Sequence, residues 1–431
     1  MTTRRTFLHL AGASAALGLA GFPSIARAAG PRVVIVGGGP AGATAARYLK
    51  RYAPDAEVTL VEANPTYTTC FMSNEVLAGD RSFDTLQVGY DAMRAEGITV
   101  VHDRVTGVDA TARTVTTQGG DTLSFDRCMV APGIDFKYDA IEGYSAEVAD
   151  STMLHAWKAG PQTQALRQQL ESMEDGGTFV LVSPPNPFRC PPGPYERVSL
   201  VASYFKRHKP RSKIILLDAK DKFSKQGLFT EAWEKLYGFG TDDSMIEWIS
   251  GSNGGGVTKV DPSTMTVSSA GAGDFKGDVV NIIPPQKAGR LAFDAGLADG
   301  DWVTVNKGTF ECLDVPGIHV LGDASAAAAM PKSASSANSQ AKAAVAGVLA
   351  LARDQEPPSP KLANACYSIA GPEFGFSVAA VYQFDDFENH LKPIEGAGGV
   401  SPANADPSIR AREEVYAHSW FENIKTDVWG V

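Results

Sequence analysis

Residues 31–51 read PRVVIVGGGPAGATAARYLKR, and the fold is decided there. Val33, Val34, Ile35 and Val36 form an unbroken β-branched run, the pattern of a strand buried on both faces of a parallel sheet. Gly37, Gly39 and Gly42 follow at Gly-x-Gly-x-x-Gly spacing, with Pro40 opening an alanine-rich helix. Such glycines turn the chain tightly, let backbone approach a pyrophosphate and pack helix on strand. The helix N-terminus then faces the phosphates. A second strand in EVTLVEAN, residues 57–64, ends in Glu62, twenty residues past Gly42. That spacing suits a carboxylate accepting hydrogen bonds from a ribose. A bound dinucleotide is therefore expected, lined by Gly37, Gly39, Pro40, Ala41, Gly42, Glu62 and Ala63.

Two distant segments bear on which dinucleotide. RCMVAPGIDF, residues 127–136, is a buried strand ending in the crossover Ala131-Pro132-Gly133. PGIHVLGDASA, residues 316–326, is a late strand ending in Gly322-Asp323. The pairing resembles the two-dinucleotide-fold flavoproteins of the glutathione reductase type. That resemblance implies FAD, with Asp323 on its ribityl chain and Val105, Ala131, Pro132 and Gly133 among its contacts. After Asp323, MPKSASSANSQAKAAVAGVLALAR places Ser and Asn before an alanine run, a good helix start. Its positive end is expected to face the flavin and favour the anionic reduced form, with Lys332 adding to the field.

Residues 176–197, GGTFVLVSPPNPFRCPPGPYER, begin as a second unit of the same kind, but the turn holds prolines in place of a glycine loop. Pro184, Pro185, Pro187, Pro191 and Pro192 have no backbone N–H to give a phosphate. Asp218 stands after the next strand without the loop it would serve. NAD(P)H is thus not expected to bind. The stiff turn is expected instead to present Cys190 at a fixed place, with Glu196 one helical turn on to move a proton. The fold class is α/β: two dinucleotide-binding-like domains of the glutathione reductase type plus a C-terminal α+β interface domain. The expected division is 29–142 with 286–356 for FAD, 143–285 for the second unit, and 357–431 for the last.

The chain has 431 residues, 44% hydrophobic and 20% charged, with net charge −10. An acidic surface argues against nucleic acid or an anionic membrane as partner. Five scattered cysteines form neither a disulfide scaffold nor a zinc pattern, so no metal is expected. Residues 1–28 carry Arg4-Arg5, a weakly apolar run and Ala26-Arg27-Ala28, the pattern of a twin-arginine leader. Its removal with Arg4, Arg5 and Arg27 takes the charge from −10 to −13. A bacterial periplasmic destination is expected. No Cys-x-x-Cys-His haem attachment occurs, so the electron outlet is expected to be another protein.

YTTCFMSNEVLAGDR (67–81), FRCPPGPYER (188–197), NIIPPQKAG (281–289), MPKSASSANSQ (330–340) and YAHSWFENI (416–424) resemble the flavoprotein subunit of flavocytochrome c sulfide dehydrogenase over the whole mature chain. The resemblance implies FAD tethered through its 8α-methyl to Cys70, Trp420 near the flavin, and a c-type cytochrome subunit as electron acceptor. It implies a redox disulfide, one member matching Cys190 and the other expected in a Gly-Asp-Ala-Cys sequence. Here that position is Ser325, and no replacement stands out. Cys312 lies across a strand expected to span roughly 20 Å, too far for a disulfide. Cys128 and Cys366 are read as buried structural thiols. Cys190 alone is then expected to carry the persulfide itself or to form the flavin C4a adduct directly. The leading function is a periplasmic sulfide:cytochrome c oxidoreductase. The alternative is an auxiliary flavoprotein beside thiosulfate-oxidising (Sox) systems, acting on a sulfur-carrier protein, which Ser325 favours. An NAD(P)H-dependent disulfide reductase lacks both phosphate loop and cysteine pair.

Overall fold

The computed structural model describes residues 30–431, and the expected leader, 1–28, lies outside them. Along the chain, β1 (Arg32–Val36) runs into α1 (Pro40–Tyr52) and β2 (Glu57–Val61). A short helix α2 (Ser73–Ala78) leads to β3 (Thr99–Val101) and β4 (Arg127–Val130). The second unit is β5 (Thr178–Ser183), α3 (Gly193–His208), β6 (Lys213–Asp218), α4 (Gln226–Tyr237), β7 (Ile246–Ile249) and β8 (Val279–Ile282). The chain then returns through β9 (Ile318–Val320) and α5 (Ala334–Leu351). It ends in β10 (Lys361–Gly371), β11 (Phe374–Asp385), β12 (His390–Pro393) and α6 (Pro407–Trp429).

The first sheet is parallel, in the order β9-β4-β1-β2-β3. Its strands read as β-branched runs because helices cover them; β1 is buried at four of its five positions. Helix α1 packs against α5. Both present alanine at the contact, including Ala43, Ala45, Ala341 and Ala344, all buried, so the backbones approach closely. The second sheet is also parallel, in the order β7-β6-β5-β8. Both sheets have the doubly wound form in which ligands sit beyond the strand carboxyl ends.

The last segment is an antiparallel sheet in which β10 and β11 pair over nearly their whole length, with α6 packed on β11. Phe374, Phe376, Tyr382, Phe384, Phe421 and Trp429 are buried there, so most of the aromatic residues near the C-terminus are core. Strand β10 also contacts α3, and α6 contacts α1. The segment therefore spans both sheets and closes over their carboxyl edges.

Candidate functional site

The register of the first sheet gathers residues far apart in sequence. Val36 aligns with Val61 and Val130, and Val130 with Val320. The residues just past these strands share one edge: Gly37, Glu62, Ala131 and Gly322-Asp323. Backbone bonds hold them, from Gly37 N to Val61 O at 2.9 Å and from Ala131 N to Val36 O at 2.8 Å. At Gly42 a Cβ would meet Gly37 O at 1.9 Å, and at Gly37, with φ of +96°, it would meet Ala131 O at 2.3 Å. Both positions require glycine. Pro40 and Ala41 open α1 at this edge. The Glu62 carboxylate accepts from Gly38 N at 2.7 Å and Asn64 N at 2.9 Å. Ala63 beside it is exposed. Pro132 and Gly133 continue the crossover, where Gly289 N donates to Gly133 O at 2.8 Å. Val105 opens the outer antiparallel strand Val105–Asp109, and the register does not draw it to this edge.

Asp323 lies in the short turn Gly322–Ala324. Burial pushes its carboxyl pKa up, with Arg189 and Lys332 opposing. Its Oδ1 is buried with no partner among the described residues. Such an orphaned acceptor fits a hydroxyl donor from a polyol chain. Lys332 is tied to the same turn, its Nζ donating to Asp323 O at 2.7 Å and Ser325 O at 2.8 Å. The ammonium stacks 3.7 Å from the Trp302 ring centroid, and burial lowers its pKa to about 8.

Cys70 follows a short strand, Tyr67–Thr68, and its carbonyl accepts the Ser73 hydroxyl at 2.6 Å just before α2. Tyr67 stacks on Trp429 at 5.2 Å between centroids. Phe71 packs edge-on against Trp420 at 5.5 Å, so α6 brings Trp420 beside the Cys70 segment. Met72 takes φ of +66°.

The proline turn leaves β5 at the carboxyl edge of the second sheet. Two of its amides are occupied: Arg189 N donates to Gln286 Oε1 and Cys190 N to Lys332 O, each at 2.8 Å. Asp218, the acid nearest a ribose reader, accepts the Tyr195 hydroxyl at 2.7 Å and Lys220 Nζ at 2.6 Å. Cys190 itself sits at φ of +59°, a left-handed conformation that costs a non-glycine residue about 1 kcal/mol or more. Burial pushes its thiol pKa up, and the neighbouring Cys366 and Glu196 push it further, against Arg189 and Lys225. Glu196 lies in the first turn of α3, accepting from Asn74 Nδ2 at 2.9 Å and from Ile369 N at 3.0 Å. Burial raises its pKa above the usual carboxylate range.

The structure corrects the reading of the cysteines. Ser325 is buried and its hydroxyl donates to Gly322 O at 2.8 Å, a local turn contact. Cys312 is buried with its Sγ toward Leu297 O, and β9 is only three residues long. Cys366 is half-buried, not a core thiol, and its strand brings it toward Cys190, with Ile369 N of that strand donating to Glu196 Oε1 at 3.0 Å. Strand β10 carries it there because β10 packs on α3 and α4. Nothing local in the sequence around Cys366 announces this, since the approach is made by a sheet remote from the proline turn.

Arg189 is a second residue that sequence reading missed. Burial lowers its pKa, but Cys70, Asp323, Tyr67 and Cys190 together raise it above the ordinary value. One guanidinium is thus within electrostatic reach of the Cys70 segment, the Gly322–Asp323 turn and the proline turn. Arg189, Cys190, Glu196, Asp323, Lys332, Tyr67 and Cys70 are all half-buried. Cys190 N donates to Lys332 O at 2.8 Å and Lys332 Nζ to Asp323 O at 2.7 Å, so the proline turn and the Gly322–Asp323 turn are joined directly. Fully buried Arg197 donates to Asn74 Oδ1, Asn281 Oδ1 and the carbonyls of His155 and Ala156. That network joins three of the distinctive segments, through Asn74, Arg197 and Asn281.

Comparison with known proteins adds three family matches. Residues 163–284 match the central domain of the sulfide dehydrogenase [flavocytochrome c] flavoprotein chain. Residues 358–429 match the flavocytochrome c sulphide dehydrogenase flavin-binding domain, and 31–174 match pyridine nucleotide-disulphide oxidoreductase. The sulfide dehydrogenase [flavocytochrome c] flavoprotein chain of Chlorobaculum thiosulfatiphilum is 51% identical over 45 residues, 10% of this chain and 94% of that one. Sulfide-quinone reductase of Aquifex aeolicus is 26% identical over 139 residues, and the match spans about a third of each chain, 32% of this one and 31% of that one. The solved structure of sulfide:quinone oxidoreductase from Aquifex aeolicus superposes with a TM-score of 0.69 at 16% identity, over 93% of both chains, a likeness of fold. The chain belongs to the family of flavocytochrome c sulfide dehydrogenase flavoprotein chains.

Proposed function

We propose that this chain is the flavin subunit of a periplasmic sulfide:cytochrome c oxidoreductase. The observation that carries the reading is that the Glu196–Ile369 bond draws the segments of Cys190 and Cys366 together, while Cys190 N and Lys332 join them to the turn whose Asp323 Oδ1 has no partner among the described residues. The glycine turn and Glu62 would hold the adenosine half of FAD, Asp323 its ribityl chain, and Cys70 its ring methyl through a thioether. FAD held there supplies a two-electron acceptor that can release electrons singly to a haem.

The chain's own residues do the sulfur chemistry. Cys190 and Cys366 form a disulfide in the oxidised state. Hydrosulfide bonds to one sulfur and displaces the other as a thiolate, giving a persulfide. Arg189 favours negative charge on sulfur near the proline turn. Glu196, its pKa raised by burial, is placed to exchange the proton of the sulfur species with the displaced thiolate. Helix α5 and Lys332 add positive potential beside Asp323.

NAD(P)H is not the reductant in this reading, because five prolines replace the glycines whose backbone N–H groups would cradle a phosphate. The alternative, action on a carrier-protein thiol, drew its support from Ser325, and Cys366 removes that ground. The test is anaerobic addition of sulfide or NADH to oxidised protein, then reoxidation by a c-type cytochrome. Bleaching by sulfide and recovery with cytochrome are expected. Bleaching by NADH alone would overturn the assignment.

A further inference from the structure

Lys225 has no role in the scheme above, yet its placement is specific. It precedes α4 with φ of +59°, the same left-handed conformation as Cys190, of the strained kind that clusters at working sites. Its ammonium has three donors and three partners. It donates to Ser368 Oγ at 2.8 Å and Cys366 O at 3.0 Å, and stands 3.7 Å from Cys366 Sγ. Among the described residues no carboxylate lies within ion-pair distance of it. A cation anchored by two neutral oxygens thus offers its remaining proton to one sulfur.

The other sulfur is held differently. Burial, Cys366 and Glu196 all disfavour the Cys190 thiolate, while Arg189 and, more weakly, Lys225 oppose them. The turn carrying Cys190 and the loop carrying Lys225 also wall a cavity of about 230 Å³. Pro191, Lys222 and Ser224 line it, the first and last being chain neighbours of Cys190 and Lys225.

We propose that the Lys225 ammonium is a positioning residue that makes Cys366 the sulfur displaced with its charge when the Cys190–Cys366 pair opens, so that the incoming sulfur bonds to Cys190. The proposal rests on the sulfide-oxidising reading and deepens it. The hydrosulfide sulfur forms a bond to the Cys190 sulfur, and the S–S bond breaks with its electron pair going to Cys366. The hydrosulfide sulfur is oxidised to the outer sulfur of a persulfide, and Cys366 is reduced to a thiolate beside Lys225. No external oxidant enters the step.

Two measurements test it. In the reduced holoprotein, iodoacetamide labelling of the Cys366 peptide is followed by mass spectrometry as a function of pH. Lys225→Met is expected to slow labelling at pH 7 about tenfold while leaving the high-pH plateau unchanged, and Lys225→Arg is expected to restore it. A Lys225→Met profile that superposes on wild type overturns the proposal. The second measurement uses wild type and needs no variant to fold: one equivalent of sulfide is added anaerobically and the extra sulfur is located. Persulfide on Cys190 is expected, and persulfide on Cys366 overturns the proposal. Persulfide on neither residue sinks the sulfide-oxidising reading instead, and the labelling profile still decides the part played by Lys225.

Discussion

The Glu196 carboxylate on α3 accepts the amide N–H of Ile369 on β10 at 3.0 Å. This one contact ties the helix that follows Cys190 to the strand that carries Cys366. It also leaves a carboxyl group with a raised pKa beside the sulfur pair. Glu196→Gln keeps an acceptor for Ile369 N but cannot exchange a proton. Sulfide-dependent flavin reduction is expected to fall about 100-fold, within the range for loss of a general acid–base. Stopped-flow reduction across pH is the check. A rate within threefold of wild type, with its pH profile unmoved, would remove Glu196 from proton transfer.

Ser325 and Cys366 make opposite predictions. The Ser325 hydroxyl makes only its bond to Gly322 O, so Ser325→Ala is expected to cost about 1 kcal/mol of stability and leave sulfide-dependent reduction within twofold. Cys366→Ser is expected to abolish that reduction to below about 1% while the protein stays folded and yellow, because the pair can no longer form. Urea titration and anaerobic sulfide titration of both variants separate the two. Full activity in Cys366→Ser would return the chemistry to Cys190 alone.

Much of this was legible in the sequence because it is local. The glycine turn, Glu62, the crossover at Ala131 and the Asp323 turn each follow a β-branched run directly. A parallel sheet in register must then bring their ends to one edge. The prolines of the second turn are legible for the same reason, since each removes its own backbone donor. Cys366 and Arg189 were not legible. Cys366 reaches Cys190 only through the docking of β10 on α3, a tertiary relationship with no periodic signature. Arg189 is one arginine in a proline turn, and only the convergence of three remote segments upon it gives it meaning. The aromatic C-terminal stretch is largely interior, as the buried Phe376, Phe421 and Trp429 show.

Cys70 makes a prediction that needs no turnover. The resemblance to covalent flavoproteins and the placement of Cys70 within the electrostatic reach of Arg189 both argue for a thioether tether. Acid-denatured wild-type protein is expected to retain its yellow chromophore in the precipitate. Cys70→Ala is expected to release it into the supernatant. Release of intact FAD from wild type would rule the tether out.

His155 governs the acid side of stability. It is 5% exposed, and its Nδ1 accepts the Trp157 amide at 2.9 Å, which requires that nitrogen to be unprotonated. Burial first, then Lys158, Arg197 and Arg189, lower its pKa from 6.5 to about 3. A depressed folded-state pKa means that the unfolded chain binds the proton more readily. The stability His155 contributes is therefore fully present above pH 6.5 and is lost as pH falls toward about 3. Each unit of that difference corresponds to about 1.4 kcal/mol, so the effect amounts to several kcal/mol at the acid end. His155→Asn offers a side-chain oxygen to the Trp157 amide and has no titratable group. Its urea midpoint is expected to fall below wild type at pH 7 and to converge on it, or pass it, near pH 4. Parallel midpoint curves for the two proteins between pH 7 and pH 4 would show that His155 does not set the acid limit.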